Sequence, residues 1–233
     1  MSTRISTIIP TYRQDELCIL HALEAQRGSL PPDEIIIVND GGPDICAKLM
    51  AQDWKTTVIL AQLQLDVLWN ITGAKNTGIW LSSGDILAIE DCDHIPGPRT
   101  YETATALLAG TFFDGKRCVA VKPLRIKHKG VAEFAQNREG YAKTFPGSGT
   151  VIASAFAVKA VCGFAEHMAG HYGGDDIDFR RRLAAQGYTE HPADMADRYH
   201  VIQRGVAFAA LSQAQRQGGT GICRVPFTVT RIN

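Results

Sequence analysis

The sequence has no C-x-x-C pair, no apolar run of membrane length and no surplus of either charge. Each absence removes a class of function. The six cysteines (Cys18, Cys46, Cys92, Cys118, Cys162 and Cys223) are widely scattered, which fits neither a zinc site nor a disulfide-stapled secreted domain. They are expected as reduced thiols in a cytoplasmic protein. The formal net charge of zero supplies no field to attract nucleic acid or an anionic membrane, so neither is expected as a partner. The basic stretches "KPLRIKHK" (122–129) and Arg180–Arg182 read as solvated faces. The most apolar stretch, "VIASAFAVKAVCGFA", is broken by Lys159 and falls short of the roughly 20 residues of a transmembrane span. "ISTIIP" near the start is too short for a signal sequence and stops at Pro10. No G-x-G-x-x-G follows the first strand-like run, and no Walker sequence occurs, which argues against a dinucleotide oxidoreductase or a P-loop enzyme.

What is present is an ordinary globular balance over 233 residues, 45% hydrophobic and 21% charged. That is enough for one core with a subdomain. The first half alternates strand and helix signals. "ISTIIP" is followed by helical spacing over 14–27, stopped by Gly28. "EIIIVND" (34–40) is nearly pure Ile and Val, as in a strand buried on both faces. Residues 44–53 read as a helix and "TTVIL" as a strand. A small-residue turn, "GAKNTG", leads into a short helix through Ile79 and Leu81, and "DILAIED" reads as another strand. Such alternation predicts an α/β fold with a mostly parallel central sheet flanked by helices. The second half is less regular. A helix is predicted over 100–109, a strand or hairpin arm in "RCVAVKPLRIKH", a loop in "FPGSGT", and a strand running into a short helix in "VIASAFAVKAVCGF". "GGDDIDFRRRLAAQGY" carries Asp in its first turn and Gly187 at its end, marks of a well-delimited helix. One domain is expected, with a binding half over about 1–98 and a second half over about 99–233.

Parallel sheets bind ligands at the carboxyl ends of their strands. Three such ends are polar here: Pro10-Thr11-Tyr12-Arg13, Asn39-Asp40-Gly41-Gly42, and Asp91-Cys92-Asp93-His94. Asp91 and Asp93 form an Asp-x-Asp pair that can aim two carboxylates at one hard cation such as Mg²⁺ or Mn²⁺; a polar turn after a strand explains them equally well. Asp-Gly at 40–41 suits a turn or a carboxylate facing a base N–H. Lys75 and Asn76 either face a phosphate or face solvent. Asp175, Asp176 and Asp178 favour the helix dipole, and Asp176–Arg180 and Asp178–Arg182 fit i,i+4 pairing. Adjacent acids beside a cleft also suit general-base work.

The order and spacing of these segments resemble a family 2-type glycosyltransferase of the GT-A fold, the architecture of nucleotide-diphospho-sugar transferases. "STIIPTYRQ" resembles that family's opening strand and nucleotide loop. "EIIIVNDGGPD" resembles its Val-Asp-Asp-Gly-Ser segment, with Asn39 for the first Asp and Gly42 for the Ser. "WNITGAKNTGIWLSSGDILAIEDCDH" resembles its Ala-Arg-Asn-x-Gly helix and Asp-x-Asp strand, with Lys75 for Arg. "GFAEHMAGHYGGDDIDFRRRLAAQGY" resembles its Gly-Glu-Asp-x-Asp block, with Asp175 for Glu. The resemblance spans roughly residues 5–190. It implies that Thr11, Tyr12 and Asp40, with Pro10 and Arg13 in the same loop, hold the base and ribose, as in enzymes that use uridine-diphosphate sugars. Lys75, Asn76 and Asp91 are then expected near the nucleotide or its phosphates, although Lys lacks the bidentate fork of Arg. Asp91 and Asp93 become the ligands of Mn²⁺ or Mg²⁺, with His200 as a further ligand and His94 as its competitor. Asp176 becomes the base, with Asp175 beside it. The reaction implied is inverting transfer from a nucleotide-diphospho-sugar, a UDP-sugar favoured, to a carbohydrate or other hydroxyl acceptor. A retaining transferase, a non-catalytic sugar-nucleotide binder and a nucleotidyltransferase stay open as alternatives. The acceptor is expected at "FPGSGT" and at the tail near "QRQGGTGICRVP", with Trp69 and Tyr172 stacking on sugar or packing.

Overall fold

Four strands rich in isoleucine and valine, β1 (Ile5–Thr11), β2 (Glu34–Asn39), β3 (Thr57–Leu63) and β4 (Ile86–Ile89), lie side by side and parallel in the computed structural model of this chain. The structure describes residues 3–64, 70–109, 117–122, 124–136, 145–146, 149–170, 173–192, 198–202 and 225–233. Every residue of β2 is buried. Its alternation sends Ile36 and Val38 into one core and Ile35 and Ile37 into another on the opposite face, which is why a near-continuous aliphatic run is stable there.

Helices cover both faces. On one lie α1 (Asp15–Ala25), α2 (Cys46–Met50) and α4 (Thr100–Ala109), through Cys18, Ala22, Leu49, Tyr101 and Ala104. On the other lie α3 (Ile71–Leu81), α6 (Ala155–Ala160) and α7 (Asp175–Ala185), through Ala74, Ala157, Val158, Phe179 and Leu183. The helix expected over 44–53 is confined to Cys46–Met50. The helix expected near Ile79 begins earlier, so Lys75 and Asn76 lie within it rather than on a turn. Small residues account for this: a Cβ on Gly78 would stand 2.3 Å from Ile8 Cγ2, so α3 rests almost directly on β1.

The remaining strands extend the sheet and build a second one. β6 (Arg117–Lys122), β9 (Val151–Ser154), β10 (Tyr188–Pro192) and β12 (Phe227–Arg231) complete an eight-stranded sheet of order β10-β6-β9-β4-β1-β2-β3-β12. β9 runs antiparallel to β4 and β6, and β12 antiparallel to β3. A smaller sheet has the order β5-β11-β7-β8, from β5 (His94–Ile95), β7 (Leu124–His128), β8 (Phe145–Pro146) and β11 (Arg198–Ile202). "RCVAVKPLRIKH", expected as one strand or hairpin arm, therefore divides between two sheets. α5 (Val131–Gln136) packs over the smaller one, where Phe134, Ile95, Ile202 and Leu17 meet.

Strand order decides where a ligand can enter. The chain steps from β1 outward through β2 to β3, then returns to place β4 on the other side of β1. The carboxyl ends of β1 and β4 flank that reversal, where connections leave in opposite directions and open a crevice. β1 runs through Pro10 to Thr11, one residue beyond the expected stop. Pro10 is tolerated because its ring nitrogen faces the β4 side, where the last ladder bond runs from Glu90 N–H to the Ile8 carbonyl at 2.9 Å.

Gly78→Ala is expected to destabilise the fold by about 1–2 kcal/mol, overpacking against Ile8 outweighing the helix propensity gained. Ile8→Ala should then cost at least about 0.5 kcal/mol less in that background than alone, because the two sites share one contact. Additive urea-unfolding energies would rule the contact out.

Candidate active site

Lys75 is the electrostatic centre of the crevice. Its side chain is 2% exposed, delivered there by the first turns of α3. Nζ donates to Asp175 Oδ2 at 2.8 Å and lies 3.5 Å from Asp91 Oδ1. The Phe164 ring centroid is 4.8 Å away, and Phe164 stacks on Phe179 of α7 at 4.5 Å. Burial alone would lower the lysine's pKa, but Asp91, Asp175 and Asp176 together raise it above the ordinary value. Lys75 is therefore a fixed cation joining the end of β4 to the start of α7. Asn76, expected near the nucleotide, grips the backbone of Phe164, donating to its carbonyl at 2.9 Å and accepting from its N–H at 2.8 Å.

Gly149 holds the second pair of acids in register. Its N–H donates to Asp176 Oδ2 at 3.0 Å. Its φ is +96°, and a Cβ there would stand 2.2 Å from Asp91 Oδ2 and 3.1 Å from His94 Cε1. Thr150 follows: its hydroxyl lies 2.8 Å from His94 Nδ1, and its carbonyl accepts from Arg180 at 2.8 Å. Arg182 pairs with Asp178 at 2.8 Å, as the i,i+4 spacing predicts. Gly173 and Gly174, at φ +79° and +87°, lead into α7. Both φ values are positive, a backbone that glycine adopts without strain and that turns the chain into the first turn of α7.

Asp91, Asp93 and His94 offer one ligand atom each within 4.8 Å of one another. The two carboxylates suit Mn²⁺ or Mg²⁺, and the imidazole beside them favours the transition metal over Mg²⁺. Nδ1 of His94 faces Thr150, which leaves Nε2 towards Asp93, 4.0 Å from Oδ1. His200 is not in this cluster. It is buried across the smaller sheet, with Nδ1 2.9 Å from His128 Nε2 and its ring edge-on to Phe134. Burial lowers the pKa of His128, against the opposing pull of Glu133.

At the other end of the crevice, Thr11 and Asp40 are buried and joined by Asp40 N–H donating to the Thr11 carbonyl at 2.8 Å. Gly41 turns the chain at φ +73°. A Cβ on Gly42 would meet Asn39 Oδ1 at 2.9 Å and Arg13 N at 3.3 Å, so the loops after β1 and β2 nearly touch. Arg13 is exposed, at φ +53°, with its guanidinium 5.2 Å from the Tyr12 ring. Asn39 holds this corner, donating to the Pro43 carbonyl at 2.7 Å and to Gln62 at 2.8 Å.

Beneath the cluster lies a carboxylate that residue types alone did not single out. Glu90 is fully buried. It is met by His21 Nε2 at 2.7 Å, by the hydroxyl of Tyr101 at 2.9 Å and by that of Tyr199. Burial, then Glu90 itself, holds both phenols far above the ordinary tyrosine pKa, so both are donors. Gly149 and Thr150 lie in "FPGSGT", the loop expected to meet the acceptor; its composition gave no hint of their contacts with Asp176 and His94. Trp69, Tyr172 and residues 215–224 of the expected acceptor tail lie outside the described residues, as do Gly147 and Ser148.

The family described as "Glycosyl transferase family 2" matches residues 6–146, more than half of the chain. Validoxylamine A glucosyltransferase of Streptomyces hygroscopicus subsp. limoneus is 28% identical over 108 residues, 46% of this chain and 24% of that protein. Glycosyltransferase GlyG of Streptococcus pneumoniae serotype 4 is 32% identical over 110 residues, 44% of this chain and 34% of that protein. The chain thus spans about a quarter to a third of the curated relatives it matches. Among solved structures, a mannosyltransferase from Pyrobaculum calidifontis in complex with GDP-Man and Mn²⁺ superposes with a TM-score of 0.63 at 17% identity, covering 93% of this chain and 62% of that one. Residues 1–349 of TarS from S. aureus, in complex with UDP-GlcNAc, superpose at 0.64 with 14% identity, covering 87% and 59%. At such identities the likeness is one of fold, the GT-A fold. Among the described residues no helix is long and apolar enough to cross a membrane.

Gly149→Ala should force either strain or displacement of Asp91. The left-handed backbone costs an alanine about 1–2 kcal/mol and the overpacking about 1–3. A fall in Tm of about 5–15 °C is expected at ~2–4 °C per kcal/mol. Gly130→Ala, where a Cβ meets nothing within 4 Å, should leave Tm within about 2 °C. Equal melting of the two variants would refute the contact.

Proposed function

We propose, because this chain belongs to glycosyl transferase family 2, that it transfers a sugar from a nucleotide-diphospho-sugar to an acceptor hydroxyl with inversion at the anomeric carbon. The observation that carries this reading is the junction of Asp91, Lys75, Asp175, Asp176 and Gly149 at the β1–β4 reversal. It brings an acid able to accept a proton beside a cation and a cation-binding cluster, at the edge where parallel sheets take their ligands.

In this reading Thr11, Tyr12 and Asp40, with Pro10 and Arg13, hold the base and ribose. Lys75 sits next to the diphosphate and keeps Asp91 and Asp175 in place before the donor arrives. Asp91 and Asp93 hold Mn²⁺ or Mg²⁺, with His94 rather than His200 completing the set, since only His94 shares their cluster. When bound, such an ion supplies positive charge against the negative charge that builds on the departing diphosphate. Asp176 Oδ2, aligned by the Gly149 N–H, takes the proton of the acceptor hydroxyl as that oxygen attacks the anomeric carbon. Asp175 acts through Lys75.

The donor base is read as uracil. A thermal-shift screen of UDP, GDP, CDP and ADP, each with and without Mn²⁺, checks it. A ligand at about 100 times its Kd adds ~2.7 kcal/mol, roughly 5–10 °C for a domain of this size. A shift for UDP that needs Mn²⁺ is expected. A shift for GDP alone would move the reading to a guanosine donor, and none with any nucleotide would overturn it.

Asp176→Asn keeps the shape of the site and removes the proton acceptor. It should bind nucleotide within a few-fold of wild type yet lose about 10²–10⁴ in kcat. Turnover within tenfold of wild type would remove Asp176 from the base role.

A further inference from the structure

We infer that Glu90 is a positioning residue that sets the direction of the Asp91 and Asp93 carboxylates; the inference rests on the cation-binding reading of that pair. Glu90 ends β4 and is peptide-bonded to Asp91. Its own N–H is tied to the Ile8 carbonyl at 2.9 Å. Its carboxylate is approached from separate elements: His21 from α1, Tyr101 from α4, and Tyr199 from β11 in the other sheet. Leucine in that place would fill the volume with no polar group to desolvate, whereas a buried carboxylate must be matched by donors. Donors arriving from several directions define the orientation of the group they hold, and an apolar contact does not.

The far side of the same turn is held by the same strand. Ile202 N–H donates to the Asp93 carbonyl at 2.9 Å. Val201 pairs with His94 and His200 with Ile95 in the antiparallel ladder of β11 and β5. His94 N–H closes the turn on the Asp91 carbonyl at 2.8 Å. β11 therefore clamps residues 90–95 twice, through the Tyr199 side chain at one end and through its backbone at the other. Asp91 and Cys92 span the gap between the clamps, and Asp93 is held at its edge by its own carbonyl. His200, which the resemblance suggested as a ligand, belongs to the strand that performs this clamping.

The test is Mn²⁺ alone, titrated into wild type, Glu90→Gln, Tyr101→Phe and Asp91→Asn well below their melting temperatures, with free Mn²⁺ read by electron paramagnetic resonance. Glu90→Gln should weaken Mn²⁺ binding by about 10–100-fold, the usual effect of losing a group that orients a metal ligand, while circular dichroism reports a folded chain. Tyr199→Phe added to Glu90→Gln should weaken it little further, because both act through one contact. A purely structural role would lower Tm and leave the Mn²⁺ affinity at the wild-type value; that result overturns the inference. Should Glu90→Gln not fold, Tyr101→Phe, which removes one donor only, should still weaken binding several-fold, and unchanged affinity there overturns it equally. Wild type that binds no more Mn²⁺ than Asp91→Asn would sink the cation-binding reading and this inference with it, an outcome distinct from normal binding by Glu90→Gln.

Discussion

A single buried ammonium organises the crevice. Lys75 reaches Asp91 at the end of β4 and Asp175 at the start of α7, segments that belong to opposite halves of the chain. A lysine is buried at a large desolvation cost unless its charge is matched. The two carboxylates meet that requirement, and in return they are fixed to one point. Gly149 then bridges the neighbouring pair, touching Asp91 on one side and holding Asp176 on the other. The acids of the site are thus placed by contacts that exist before any ligand arrives, which is the physical meaning of preorganisation in catalysis by electrostatics.

Small residues make that placement possible. Gly78 lets α3 lie against Ile8, Gly149 donates its backbone N–H to Asp176 beside Asp91, and Gly173 and Gly174 supply the left-handed backbone that leads into α7. The charged groups pair with one another, while Gly78 and Gly149 set the distances between the segments that carry them.

The central sheet was legible because β2 and its neighbours obey simple rules: β-branched runs bounded by turn residues, and buried on both faces. The crevice was legible for a related reason, since polar residues at three strand ends can only converge if those strands are parallel. The start of α3 was harder. "GAKN" looks like a turn by composition, and only the close approach to β1 makes a helix of small residues favourable there. Strand register, which spacing does not reveal, separates the two histidines: His200 shares a face with Ile95, while His94, on the other, belongs to the cluster with Asp91 and Asp93. Glu90 was hidden among acids that look alike in sequence. Asp91 and Asp93 share a cluster with His94, whereas Glu90 faces two phenols and an imidazole, and nothing local distinguishes the three acids. The resemblance carried the order of the motifs, but neither Gly149 nor Tyr199 could be read from it.

The outer strand β12 lies antiparallel to β3, and Val58 N–H donates to Asn233 Oδ1 across 175 residues of sequence. During synthesis β3 leaves the ribosome long before β12 exists. For that interval the nascent sheet presents an unpaired aliphatic edge, the geometry that invites pairing with another chain. β12 is therefore the strand that closes this window, and the rate of translation between β3 and β12 sets how long the window stays open.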